Sequence, residues 1–256
     1  MIWGTFTDTH IATLAFAFFF IILIHLVLVN KSRKTQILSL FLISFIAIAG
    51  VAYQVLSSED PMKNLPLDLS SLAALLLPFA VLTRQKWCCN LLLLWPLQSF
   101  INLVFNQDKA DLDVFSVEFT IYFFTNLLTF AIPIILFWLK LVRRDYKYMK
   151  KSIVITAVVY TAVHFYNIAS GSNYLYSVSP DGNELLSFFY TFVPSYWYMY
   201  LMIPIFILYL GQWYLPELLD HRRKTKRLRM KLKEIDDYYD EYEDEYIDEI
   251  IEEKYR

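Results

Sequence analysis

The sequence predicts an all-α, polytopic membrane protein: a bundle of seven transmembrane helices with its N-terminus outside and its C-terminus in the cytoplasm. Three observations predict it. Of the 256 residues, 57% are hydrophobic and only 19% charged, against about 25% charged in an ordinary soluble domain. Seven segments stay apolar for close to the ~20 residues that a helix needs to cross the hydrocarbon core. The basic residues between those segments fall almost entirely on alternate connections, as cytoplasmic loops require. Helices are the expected element because backbone groups in lipid must be satisfied within the segment, and no barrel-like alternation is present. Five glycines and nine prolines are too few for a collagen-like, linker-like or turn-rich all-β chain.

The first segment, 10–29, is too long for the apolar core of a signal peptide. It lacks a basic start and is followed by Lys31, Arg33 and Lys34 rather than a small-residue cleavage site. Spans are expected next at 36–56 and 65–83, then at 87–106 after a short hairpin of Arg84, Gln85 and Lys86, and at 115–139, 152–169 and 195–215. Of the 23 basic residues, all but Lys63 and Lys109 lie on one side of this arrangement. That side is read as cytoplasmic, which makes the number of spans odd. Two domains follow: a seven-helix membrane domain over 1–216 and a charged cytoplasmic tail over 217–256.

The tail has a basic block at 222–233 and an acidic block at 234–253, so the formal net charge of −2 is a near-cancellation. Its apolar positions Leu228, Leu232, Ile235, Tyr239, Tyr242 and Tyr246 alternate spacings of four and three, as a heptad seam does. One reading is a solvated tail whose basic start rests on anionic headgroups. The other is a helix that associates with itself or with a protein partner. No basic groove interleaved with aromatics points to nucleic acid. The two cysteines, Cys88 and Cys89, are adjacent and form neither a disulfide framework nor a metal-ligand spacing. No cofactor and no metal are expected.

Ionisable and polar side chains are costly inside a membrane and therefore mark candidate sites. The expected spans hold no Lys or Arg, but they hold His10, His25, Asp68, Ser70, Ser71, Gln98, Asn102, Glu118, Asn126, His164 and Asn167. Counting ~1.5 Å per residue along each helix, most of those in spans three to six fall toward the outer leaflet. The loop after span six adds Asn173 and Tyr174. Glu118, Tyr122 and Asn126 are four residues apart and share a helix face. Gathering at one depth suggests a cavity for a lipid or other amphiphile. The competing reading is a set of interhelical hydrogen bonds, each worth about 0.6 kcal/mol. His164 is the best acid/base candidate, because imidazole is the side chain suited to general acid or base work near neutral pH.

The run 64–78, Asn-Leu-Pro-Leu-Asp-Leu-Ser-Ser-Leu-Ala-Ala-Leu-Leu-Leu-Pro, and the later 167–176, Asn-Ile-Ala-Ser-Gly-Ser-Asn-Tyr-Leu-Tyr, resemble the YwaF-like family of bacterial integral membrane proteins. That family is related to an animal transmembrane acyltransferase that remodels ether phospholipids. The resemblance runs from the first span through the seventh and omits the tail. It implies a multi-pass protein of the bacterial plasma membrane with membrane lipids as its partners. In the acyltransferase branch a cysteine nucleophile follows the Leu-Pro-Leu motif, and a later span carries a histidine. Here those positions are Ser70 and Asn126.

Serine needs an adjacent base to act as a nucleophile, and asparagine cannot take a proton. The resemblance therefore implies a divergent member with lost or altered chemistry that keeps a lipid-facing cavity, here lined by Asp68, Ser71, Asn102, Glu118, Tyr122, Asn167, Asn173 and Tyr174, and that serves as a non-catalytic lipid-binding protein or as the membrane subunit of a larger assembly. The alternative is an acyltransferase or lipid hydrolase in which Ser70 attacks, His164 is the base, and Asn126 or Asn167 orients the carbonyl. A seven-span receptor or a transporter is the weaker alternative. Pro78, Pro96, Pro133 and Pro204 do not form the matched broken-helix halves of many transporters.

Overall fold

The computed structural model describes residues 2–4, 6–58, 65–105, 109, 111–180, 184–193, 197–198, 200, 203–216, 219–220, 223 and 230. The chain divides into two compact units, 1–211 and 212–256. The heptad-like positions of the tail, its acidic block and Lys63 lie outside the described residues, as does part of the seventh expected span.

The described residues form helices joined by turns and loops, with no β-strand among them and a single isolated bridge between Ile2 and Asp113. The helices are α1 (Asp8–Val29), α2 (Arg33–Leu56), α3 (Leu69–Thr83), α4 (Lys86–Leu91), α5 (Leu97–Phe105), α6 (Val117–Trp138), α7 (Lys147–Ser170) and α8 (Glu184–Phe192), followed by α9 (Ile203–Pro216). Four of them, α1, α2, α6 and α7, are long and apolar enough to cross a membrane.

Three of the four long helices begin where hydroxyl side chains cap them. Thr7, Ser32 and Ser116 accept backbone N–H groups at the starts of α1, α2 and α6, satisfying donors that have no partner within the helix. The central element is α6, buried along most of its length from Phe119 to Phe137. It packs against α2, α5, α3 and α1, and α2 also packs along α3. The outer helices carry their large apolar residues outward: Phe18, Phe19 and Leu26 on α1, and Val158, Phe165 and Ile168 on α7, are all exposed. In water such a surface would be a liability, whereas against lipid tails it is the solvated face.

Three elements differ from the sequence expectation. The third helix begins at Leu69 rather than at 65 and has 15 residues. The fourth expected span, 87–106, is broken into α4 and α5 around Leu92–Pro96. Proline cannot donate a backbone hydrogen bond and disfavours the helical conformation in the residue before it. The break is closed by shorter-range bonds, Leu94 N–H to Leu91 O at 2.9 Å and Gln98 N–H to Trp95 O at 3.2 Å. Its residues Leu91 to Trp95 are buried, the condition under which non-helical backbone is tolerated at membrane depth. Finally, α8 forms within what the sequence suggested was loop.

Candidate functional site

A cavity of about 880 Å³ opens between the C-terminal end of α2, the N-terminal end of α3, α5, the N-terminal half of α6 and the loop after α7. It receives Asp68, Ser70, Ser71, Asn102, Glu118, Tyr122, Asn126, Asn173 and Tyr174, all expected site residues from separate segments. Each helix contributes the same end of the bundle, because antiparallel neighbours place the C-terminal turn of α2 beside the N-terminal turns of α3 and α6.

The wall between α5 and α6 is a ring of hydrogen bonds. Asn102 Nδ2 donates to Asn126 Oδ1 at 3.2 Å, Asn126 Nδ2 to the Tyr122 carbonyl at 3.0 Å, and the Tyr122 hydroxyl to the Asn102 carbonyl at 3.1 Å. Asn126 is buried, and the ring fixes the orientation of its amide. At α3, Asp68 occupies the N-cap position without a side-chain cap bond. Its Oδ1 instead accepts the Leu175 N–H at 3.4 Å, tying the first turn of α3 to the loop after α7. The Ser70 N–H donates to Gln98 Oε1 at 3.3 Å. At the rim, Lys109 Nζ and Glu118 Oε1 form a partly exposed ion pair at 3.0 Å.

The loop wall is built by two asparagines. Asn167 Nδ2 donates to the Tyr174 carbonyl (2.8 Å) and to Ser177 Oγ (2.7 Å), and its Oδ1 accepts the Tyr174 N–H (3.1 Å). Asn173 Oδ1 accepts the Val178 and Ser179 N–H groups, and its Nδ2 donates to the Ser179 carbonyl. The Tyr174 hydroxyl accepts the Leu65 N–H. Asn173 and Tyr174 line the cavity, whereas Asn167 lies buried behind them.

His164 is also behind the loop. Its Nδ1 pairs with Ser177 Oγ at 3.2 Å, and it is not among the residues lining the cavity. Ser70 and His164 share no hydrogen bond. Asn126 and Ser70 line the same space, from α6 and α3. His10 is removed from it too, bonded through Nε2 to the Leu103 carbonyl and through Nδ1 to the Phe6 N–H.

Several lining residues escaped the sequence reading. Tyr53, Gln54, Ser57 and Ser58 close the cavity from the end of α2, and Thr125 and Thr129 extend it along α6. Four polar residues closing an apolar span, two in the last turn of α2 and two just beyond it, are the available signal. Among the described residues, the lining offers hydroxyls, amides, two carboxylates and one ammonium. Among the described residues no group of three His, Cys, Asp or Glu is placed to hold a metal ion.

No curated protein and no solved structure matches the chain. A family model does, over residues 5–214, a stretch that contains every residue lining the cavity. The chain belongs to the TMEM164 family, a family of membrane proteins.

Proposed function

We propose that this protein is a seven-span membrane protein whose polar cavity opens toward the outer leaflet and binds the headgroup of a lipid or related amphiphile without chemical turnover. The observation that supports this reading is the lining itself. A space of about 880 Å³ walled by amides and hydroxyls, set in a bundle whose outer face is apolar, suits a molecule with a polar end and an apolar remainder. Simple helix-to-helix bonding does not require such a space, because pairing partners across an interface exclude volume rather than enclose it.

Binding is favoured over acyl transfer because a serine nucleophile needs a base within reach: His164 is absent from the lining, and the carboxylates of Asp68 and Glu118 are engaged with the Leu175 N–H and with Lys109. The bacterial plasma membrane is the proposed location, as the YwaF-like resemblance implies. The tail, with its basic block beside the membrane and its acidic block beyond, is proposed to rest on anionic headgroups or to contact a protein partner.

The test is thermal unfolding of the full-length protein in detergent, with and without lysophosphatidylcholine. A ligand that binds only the folded state stabilises it by about 2.7 kcal/mol at a hundredfold excess over Kd. The expected result is a rise in Tm that survives Ser70→Ala and disappears in Ser71→Trp, which fills the cavity. No rise in the wild type would overturn the reading. Labelling of the wild type but not Ser70→Ala by a fluorophosphonate would replace it with the acyltransferase or hydrolase reading.

A further inference from the structure

Beside the polar cavity lies a second, smaller hollow of about 60 Å³ between α3, α7 and α9, lined by Leu69, Ile153, Tyr160, Leu175, Ile203 and Phe206 among others. Two of its hydroxyl-bearing neighbours turn their oxygens to other partners: Thr156 Oγ1 donates to the Ser152 carbonyl and accepts from Trp95 Nε1, and the Tyr200 hydroxyl pairs with Thr161 Oγ1. The surface facing the hollow is almost entirely carbon, which suits apolar groups.

The two spaces are separated by very little. Leu175 lines both, while Leu69 lines the apolar one and the next residue, Ser70, the polar one. The partition at Leu175 is the short 3-10 turn Tyr174–Tyr176, in which Leu175 and Tyr176 hold φ angles of 56° and 52°. Left-handed backbone is costly for residues with side chains and persists only where the surroundings impose it. Here Asp68 holds the Leu175 N–H and Asn167 the Tyr174 N–H. Such imposed conformations cluster at ligand clamps. On either side of the apolar hollow, Val154 and Val158 of α7 and Ile205 and Leu208 of α9 are exposed, so it sits among side chains that meet lipid.

We infer that the site is bipartite: the amphiphile whose headgroup enters the polar cavity lays a hydrocarbon chain into the groove between α3, α7 and α9, across the Leu175 turn. The inference rests on the headgroup-binding reading above. It makes Leu69, Ala157 and Leu175 chain-contacting residues, and it makes the Asp68 carboxylate a positioning group that holds the turn between the two halves of the ligand.

The experiment is photo-crosslinking of the full-length protein in lipid nanodiscs with two lysophosphatidylcholine probes, followed by peptide mapping. One probe carries its diazirine midway along the chain and the other carries it at the headgroup. The chain probe is expected to mark 153–160 and 203–206 and to lose those marks in Ala157→Trp, which fills the groove. The headgroup probe is expected to mark α5 and α6 in both proteins. Chain labelling spread over the exposed faces of α1 and α2 with headgroup labelling intact would overturn the groove alone. Loss of headgroup labelling at the cavity as well would overturn the binding reading beneath it. The wild-type maps decide between these outcomes even if Ala157→Trp does not fold.

Discussion

At the scale of single residues, the polar groups of the cavity separate into those whose bonds hold the bundle together and those at its exposed rim. Asn126 belongs to the first class. Its amide closes the ring with Asn102 and Tyr122, and truncation would leave the Asn102 amide short of an acceptor. Asn126→Leu is expected to lower stability by on the order of 1 kcal/mol, because unfolded segments within a membrane also find partners. A fall of Tm in detergent relative to wild type checks it, and an unchanged Tm would show that the ring contributes nothing. The Lys109–Glu118 pair is of the second class. With both side chains substantially exposed at the rim, Lys109→Ala is expected to change stability by less than about 1 kcal/mol, measured in the same way. Half of this was legible in the sequence. The spacing of Glu118, Tyr122 and Asn126 displays one helix face, and that face does meet the cavity. That Asn102 lies opposite Asn126, or that His164 pairs with Ser177 behind the loop, depends on helix register and on loop backbone, which one chain's periodicity does not encode.

At the scale of elements, the contact between α2 and α6 is the closest that any of the described glycines permits. A Cβ built on Gly50 would fall 1.8 Å from Thr125 Oγ1, so the two helices approach there only because position 50 has no side chain, as small residues commonly permit in membrane bundles. Gly50→Ala must push α6 or the Thr125 side chain aside, with an expected loss of about 1–3 kcal/mol. Gly211→Ala, with nothing within 4 Å of the added carbon, is expected to be neutral or stabilising by up to about 1 kcal/mol through helix propensity. Opposite signs of the two Tm shifts check the pair. The same contact bears on function, since Thr125 lines the cavity and displacing it would narrow the space. Nothing in the hydropathy pattern singles out Gly50 from the apolar residues around it. The break at Pro96 was visible as a proline within a span, but hydropathy counts residues and not backbone bonds, so 87–106 reads as one continuous span.

At the scale of the molecule, the cavity exists because some helices fall short. An α3 of 15 residues extends only about 22 Å at ~1.5 Å per residue, less than the ~30 Å hydrocarbon core. The residues before it, Leu67 and Asp68, are not helical, and the break in the fourth expected span shortens α5 to nine residues. At that end of the bundle the missing helix is replaced by polar side chains and by the loop after α7, and those are the walls of the cavity. Its membrane depth then follows from orientation. If the connections bearing Lys31, Arg84 and Lys140 are cytoplasmic, as the sorting of basic residues argues, the N-terminal ends of α3 and α6 point outward and the cavity faces the outer leaflet. Cys88 and Cys89 are buried, and alanine at both positions gives a background free of thiols. In that background a membrane-impermeant maleimide is expected to label Asp113→Cys, beside the start of α6, in intact cells. It is expected to label Ser32→Cys, between α1 and α2, only after the cells are opened. Labelling in the reverse order would place the cavity on the cytoplasmic side, and the amphiphile would then have to be drawn from the inner leaflet.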